Sequence, residues 1–175
     1  SHRHSLSAEW LTSDGERQLR ARAYAIDYRL DLFSNFTYAT DVDNGDQFEQ
    51  FDDRMVYGGA LSWSTPLQIG VLSNELTLGT EFRRDDIDTV GLYKTVARER
   101  IDTTREDDVV QTSYSGYVSV ATQWSERVRT SLGLRADRFE FDVSSNIDVN
   151  SGEASDSIVS PKLSVILGPW NDTEL

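Results

Sequence analysis

The chain has 175 residues, no cysteine and a formal net charge of −13. That length allows one domain with a substantial core. The acidity excludes a phosphate backbone as partner, so no nucleic acid is expected, and the lack of cysteine excludes disulfides and thiolate metal sites.

No apolar run reaches the ~18 residues of a transmembrane helix. The hydrophobic fraction is only 38%, but a β-barrel needs just one apolar face per strand and tolerates so low an average. The N-terminus, Ser1-His2-Arg3-His4, has no apolar stretch of the signal-peptide kind. The chain is therefore expected to be mature or cut from something longer.

Alternation with period two places successive residues on opposite faces of a strand, and it recurs along the whole chain. A first strand is expected over residues 3–11, with Leu6, Ala8 and Trp10 opposite Ser5, Ser7 and Glu9. Ser13-Asp14-Gly15-Glu16 reads as a tight turn. The second strand, 17–40, is very long. From Tyr24 on, its pattern puts Tyr24, Ile26, Tyr28, Leu30, Leu32, Phe36 and Tyr38 on one face, and Asp27, Arg29, Asp31, Asn35 and Thr37 on the other.

Residues 41–53 read as an acidic loop around the turn signal Asn44-Gly45. A third strand follows over 54–64, a reversal over 66–74 and a fourth strand over 75–85. Residues 86–108, with eleven charged side chains, read as a long loop. The clearest alternation is the fifth strand, 110–124, whose even positions run Val110, Thr112, Tyr114, Gly116, Val118, Val120, Thr122, Trp124. Ser125-Glu126 turns into a sixth strand over 127–143 with Leu132, Leu134 and Ala136 on one face. A polar loop over 144–157 leads to a seventh strand, 158–168, and Thr173-Glu174-Leu175 opens an eighth.

Strands of about ten residues with one apolar and one wet face are what a transmembrane β-barrel requires; an ordinary globular strand needs five or six. The connections alternate between short and long, as the two ends of an outer-membrane barrel do. Trp10, Trp63, Trp124 and Trp170 fall near the short-turn end, where an interfacial girdle belongs. The expected fold is all-β: an antiparallel up-and-down transmembrane β-barrel segment of about seven to eight strands.

Three stretches carry a family resemblance: Leu30-Asp31-Leu32-Phe33-Ser34-Asn35-Phe36-Thr37-Tyr38, Gly133-Leu134-Arg135-Ala136-Asp137-Arg138-Phe139 and Ser160-Pro161-Lys162-Leu163-Ser164. In order and spacing they resemble the barrel of TonB-dependent outer-membrane receptors, over essentially the whole chain. The resemblance implies a barrel of about 22 strands, of which this chain is an internal piece of roughly a third. It shows no plug domain, no energy-coupling box and no terminal aromatic strand. The resemblance also implies the outer membrane of a Gram-negative bacterium and active import of a scarce small-molecule ligand, such as a ferric siderophore or cobalamin. The implied partners are outer-membrane lipid, a plug domain with the remaining barrel strands, and the inner-membrane TonB complex. No cofactor is implied.

Several residues are candidates for chemistry. Asp27, Arg29, Asp31, Glu75, Glu81, Arg83, Arg129, Arg135 and Asp137 are expected to face the barrel lumen. There they either contact a plug and line a ligand path or form cross-strand salt-bridge ladders on a wet wall. Tyr93, Lys94, Arg98 and Arg100, in the 86–108 loop, suit an anionic chelate by charge and stacking; a variable surface loop explains them equally well. Asp41, Asp43, Asn44, Gly45, Asp46 and Glu49 resemble a Ca²⁺ loop in composition, but their spacing departs from the EF-hand, and a solvated acidic hairpin is the simpler expectation.

His2 and His4 share a strand face, but with no third His and no Cys the expectation is an ordinary polar strand end and no metal. No Ser-His or Asp-His pair is placed for catalysis, so no enzyme is expected. The rival readings are a porin-like channel without energy coupling and a soluble all-β interaction module.

Overall fold

The computed structural model describes residues 1–36 and 45–170. They form one seven-stranded antiparallel sheet in sequence order: β1 (His2–Asp14), β2 (Arg17–Ser34), β3 (Phe48–Ile69), β4 (Leu72–Val96), β5 (Glu99–Ser125), β6 (Val128–Ser145) and β7 (Gly152–Leu167). The only helical segment among the described residues is the 3₁₀ turn Asp148–Asn150. Among the described residues there is no second layer and almost no core: Phe51, Val56, Ile87 and Tyr93 are the only buried hydrophobic side chains there. Such a sheet stands by its ladder and by whatever covers its faces.

Two-residue turns close one end. Gly15, at φ +60°, and Gly70, at φ +64°, supply the left-handed backbone that such turns demand, and Glu126-Arg127 closes the third.

At the other end the strands are longer than the alternation predicts. Residues 86–108 are not a loop: β4 runs on to Val96, reverses at Ala97-Arg98 and returns as β5. At that same end β7 begins already at Gly152, whereas β2 stops short, at Ser34 rather than residue 40, and at the short-turn end the 66–74 reversal shrinks to Gly70-Val71. Charge misled the prediction here, since acids and arginines end a strand only where a face must be apolar. Half of the Asp41 to Glu49 cluster, namely Asp41, Asp43 and Asn44, lies outside the described residues, as do Thr37, Tyr38 and the proposed eighth strand at Thr173.

Residues directly opposite in a ladder share a face, so the register fixes the two surfaces. One row reads Trp10, Ala21, Leu61, Thr80, Gly116, Ala136, Val159, and the next Thr12, Leu19, Trp63, Leu78, Val118, Leu134, Pro161. This apolar face leaves Leu132 at 62% and Leu163 at 69% exposure. The opposite, polar face carries the row Glu9, Arg22, Ala60, Glu81, Ser115, Asp137.

Tyr57, Phe82 and Tyr114 lie side by side at the upper edge of the apolar band, their rings tilted by 45° with centroids 6.4 and 5.4 Å apart. Within the band the pairing is unbroken as far as Gln123. Register shifts occur at Asp53/Arg54, Ile87/Val90, Leu92/Tyr93 and Lys94/Thr95, all beyond the aromatic row, and at Gln123/Ser125 beside a short turn.

Candidate functional site

The polar face gathers charge where four strands meet. Glu81 accepts from Arg22 Nη2 at 3.0 Å and from Arg135 Nη2 at 3.0 Å, so one carboxylate ties β2 to β6 across β3, β4 and β5. Ala60 and Ser115, its small neighbours in the row, leave room for both arginines to reach it. Arg135 also donates from Nε to Asp137 at 2.9 Å and from Nη2 to Ser115 Oγ at 2.9 Å. Arg83 is held in a fork by Asp85, at 2.6 and 2.8 Å. Tyr24, Glu81, Arg83, Ser115, Arg135 and Phe139 line a concavity of about 340 Å³. Paired charges around an open hollow make a hydrated wall able to meet a polar surface or solute.

The nine residues expected on one lumen-facing wall therefore divide. Glu75, Glu81, Arg83, Arg129, Arg135 and Asp137 share the polar face, whereas Asp27, Arg29 and Asp31 lie on the apolar side, at its far end. The correction comes from β2. Its apolar-face residues in the band are Leu19, Ala21, Ala23 and Ala25, and Tyr24 stands on the polar face, where a Cβ at Gly58 would meet its Oη at 2.7 Å. Ile26, Tyr28, Leu30 and Leu32 follow Tyr24 on that face.

Beyond the aromatic row the apolar face turns into a stacked charged cluster. Arg100 donates to Glu49 from Nε at 2.6 Å and from Nη2 at 3.0 Å. Its guanidinium lies 3.6 Å from the Tyr93 ring centroid and 4.9 Å from that of Phe51. Arg29 covers Phe51 at 4.8 Å, so that ring is held between two guanidiniums. Tyr93 Oη donates to Glu106 at 2.5 Å.

The four ligand-binding candidates do not converge. Tyr93 and Arg100 are locked in this cluster, and Lys94 is on the opposite face, paired with Phe48. Arg98 sits at the β4–β5 turn at φ +69°, where its backbone N–H donates to Gln47 Oε1 at 2.8 Å. Gln47, Phe51 and Glu106 were missed by sequence reading, since nothing in their local pattern marks a pairing made across strands.

Burial, followed by the bond to Glu106, pushes the Tyr93 phenol up to about 12, against about 10 for a free tyrosine. The cluster holds that phenol neutral, so its contribution is complete below pH ~10 and is lost as pH rises towards 12. The phenolate absorbance of the protein should show one late step at about 12 that Tyr93→Phe removes. If Tyr93→Phe leaves the curve unchanged, the phenol is not held as described.

His2, His4 and Asp27 also come together. The two imidazole centroids are 5.1 Å apart, and His2 Nε2 is 3.4 Å from Asp27 Oδ2. The pair expected to be a plain strand end thus has a third potential ligand, contributed 23 residues away across the first hairpin.

The sequence matches the family described as TonB dependent receptor-like, beta-barrel, over residues 1–174. Its fold is similar to that of the ferric citrate transporter FecA in unliganded form, with TM-score 0.75, 12% identity and 95% of this chain aligned to 25% of that one. It is also similar to Fiu, the ferric-catecholate import receptor of E. coli K12 in its open form. There the TM-score is 0.51 and the identity 12%, with 94% of this chain aligned to 31% of that one. The chain thus spans about a quarter to a third of the length of these structures. No curated protein matches it in sequence.

Proposed function

The chain belongs to the TonB-dependent receptor β-barrel family, and from that premise we propose that it is one wall of a larger transmembrane barrel. The whole protein imports a scarce nutrient, such as a ferric siderophore or cobalamin, across the outer membrane of a Gram-negative bacterium. The inner-membrane TonB complex drives the transport, and no catalysis is involved.

The observation that carries this reading is the division of one sheet into an apolar band edged with aromatics and a charged, hollowed wall. On β5 the band runs from Tyr114 to Trp124, whose Nε1 donates to Thr130 on the same face at 2.8 Å. Ten steps of ~3.3 Å on a strand tilted by ~40° rise ~25 Å, the height of the apolar belt of such barrels. Lipid covers that face. The polar face then lines the lumen, where the Arg22–Glu81–Arg135 network meets the plug domain or the ligand path. Among the described residues β1 and β7 are each paired on one side only, and an open edge cannot stand in lipid, so further strands of the parent complete the barrel.

The test uses the full-length protein in its host. Deleting the gene should abolish energy-dependent uptake of one ferric chelate or cobalamin, and an intact TonB complex should be required for rescue. Glu81→Lys, which sets three cations against each other on the wall, should lower uptake several-fold with the barrel still folded and inserted. Solute passage that proceeds equally without TonB would replace the receptor with an open channel.

A further inference from the structure

We propose that His2, His4 and Asp27 form a binding site for a borderline transition-metal ion such as Zn²⁺, Cu²⁺ or Ni²⁺, on the face opposite the charged wall. The two histidines are two residues apart on β1, so their side chains leave the sheet on the same side. In the register Asp27 of β2 is directly opposite His4, and the pairing of the two strands is unbroken from His2 to Asp14. A ladder of that kind fixes the three Cα positions before any ion arrives. The donor atoms, one from each residue, lie within 4.8 Å of one another.

Around a tetrahedral ion with bonds of ~2.0–2.1 Å, neighbouring donors are ~3.4 Å apart. His2 and Asp27 already stand at 3.4 Å. His4 is exposed and has no hydrogen-bond partner among the described residues, so rotation of its ring closes the remaining gap.

The donor set selects the ion. Two imidazole nitrogens and one carboxylate suit Zn²⁺, Cu²⁺ and Ni²⁺, whereas Ca²⁺ and Mg²⁺ need six or more oxygens. Three protein ligands leave a position for water.

The local field favours a cation. Three carboxylates, Asp27, Asp31 and Asp53, stand near the site against two cations, the Arg29 guanidinium and the Ser1 ammonium, which is 3.4 Å from Asp31. That guanidinium is engaged by Asp53 at 3.3 Å and Asp31 at 3.5 Å. The site does not depend on the transport reading. If that reading holds, the site lies one row above Leu6, Ala25 and Tyr57, outside the apolar band.

The test is Zn²⁺ titration of the full-length protein, stripped with a chelator in detergent, by calorimetry, with Co²⁺ as a visible probe of coordination. The wild type should bind one more Zn²⁺ than either His4→Gln or Asp27→Asn. Loss of a second-shell contact weakens metal binding by about 10–100-fold, so each ligand variant should lose at least about a hundredfold at this site. Asp27→His, which offers nitrogen for oxygen, should keep the site and guards against a trivial folding defect, and Ser5→Ala should be silent. Equal Zn²⁺ stoichiometry and affinity in the wild type, His4→Gln and Asp27→Asn would overturn the site and leave His2–Asp27 a plain ion pair. Uptake measurements report on the transporter separately, so failure of one reading is not failure of the other.

Discussion

An arginine at Val118 is expected to destabilise the barrel by about 2–4 kcal/mol, while an arginine at Ser119 leaves it within about 0.5 kcal/mol. The two positions are neighbours on β5 and differ only in face. Val118 pairs with Leu78 and Leu134, near the middle of the apolar band. A guanidinium there must be drawn out of hydrocarbon or drag water into it, and the cost is greatest at the midplane. Ser119 pairs with Thr77 and Gly133 on the charged wall, beside a hollow lined by Glu81, Arg135 and Lys162, where an added cation meets water. Denaturant unfolding of the full-length protein in lipid vesicles reads both values. If the two variants are equally stable, lipid does not cover this face. If Ser119→Arg is the worse one, the faces are reversed.

The second large effect lies outside the lipid. Arg100→Ala should cost about 2–3 kcal/mol of local stability in the β4–β5 hairpin, less than the full cost of breaking a buried pair because the arginine meets solvent. The asymmetry between the partners gives the direction. The Glu49 side chain is only 6% exposed and the Arg100 side chain 41%. Removing the arginine strands a carboxylate that cannot reach water and strips the stack from Tyr93 and Phe51. Removing the charge instead, by Glu49→Gln, leaves a guanidinium free to turn outward, at about 1 kcal/mol. Adding Glu49→Gln to Arg100→Ala should therefore recover part of the loss. Amide hydrogen exchange resolves it, with protection falling at the hairpin tip and not in the band. Unchanged protection with weakened ligand binding would make Arg100 a ligand contact instead of a structural one.

Much of this was legible in the sequence. The alternation of β1, β3, β5 and β6 gives the correct faces, because in each the crossing segment sets lipid against water and the pattern is strong. β2 shows where that logic fails. Leu19, Ala21, Ala23 and Ala25 alternate correctly but are small, whereas Tyr24 to Leu32 alternate conspicuously in the opposite phase without any bulge.

The phase inverts because the constraint inverts. Past the aromatic row the apolar side of the sheet takes Asp27, Arg29 and Asp31, while bulky residues move to the opposite side. A reader following size alone takes the wrong phase. The charged network was half legible: Glu81, Arg135 and Asp137 stand in strong alternation, but that one carboxylate joins Arg22 to Arg135 is a fact of register, and register is carried by no single strand. The cluster at Tyr93 was hidden for the same reason, since Glu49 and Arg100 are 51 residues apart.

The register shifts of β3 and β4 all fall beyond the aromatic row, and this bears on how such a chain can vary in length. One residue added between Leu76 and Phe82 would turn half of that strand over, presenting Glu81 to hydrocarbon and Leu78 or its neighbours to the wall. The same insertion past Asp86 meets a ladder that already absorbs offsets, where two residues oppose one. The outward ends of these strands can therefore lengthen or shorten residue by residue without reaching the portion that crosses the membrane. Diversity outside and constancy within become compatible in one continuous strand.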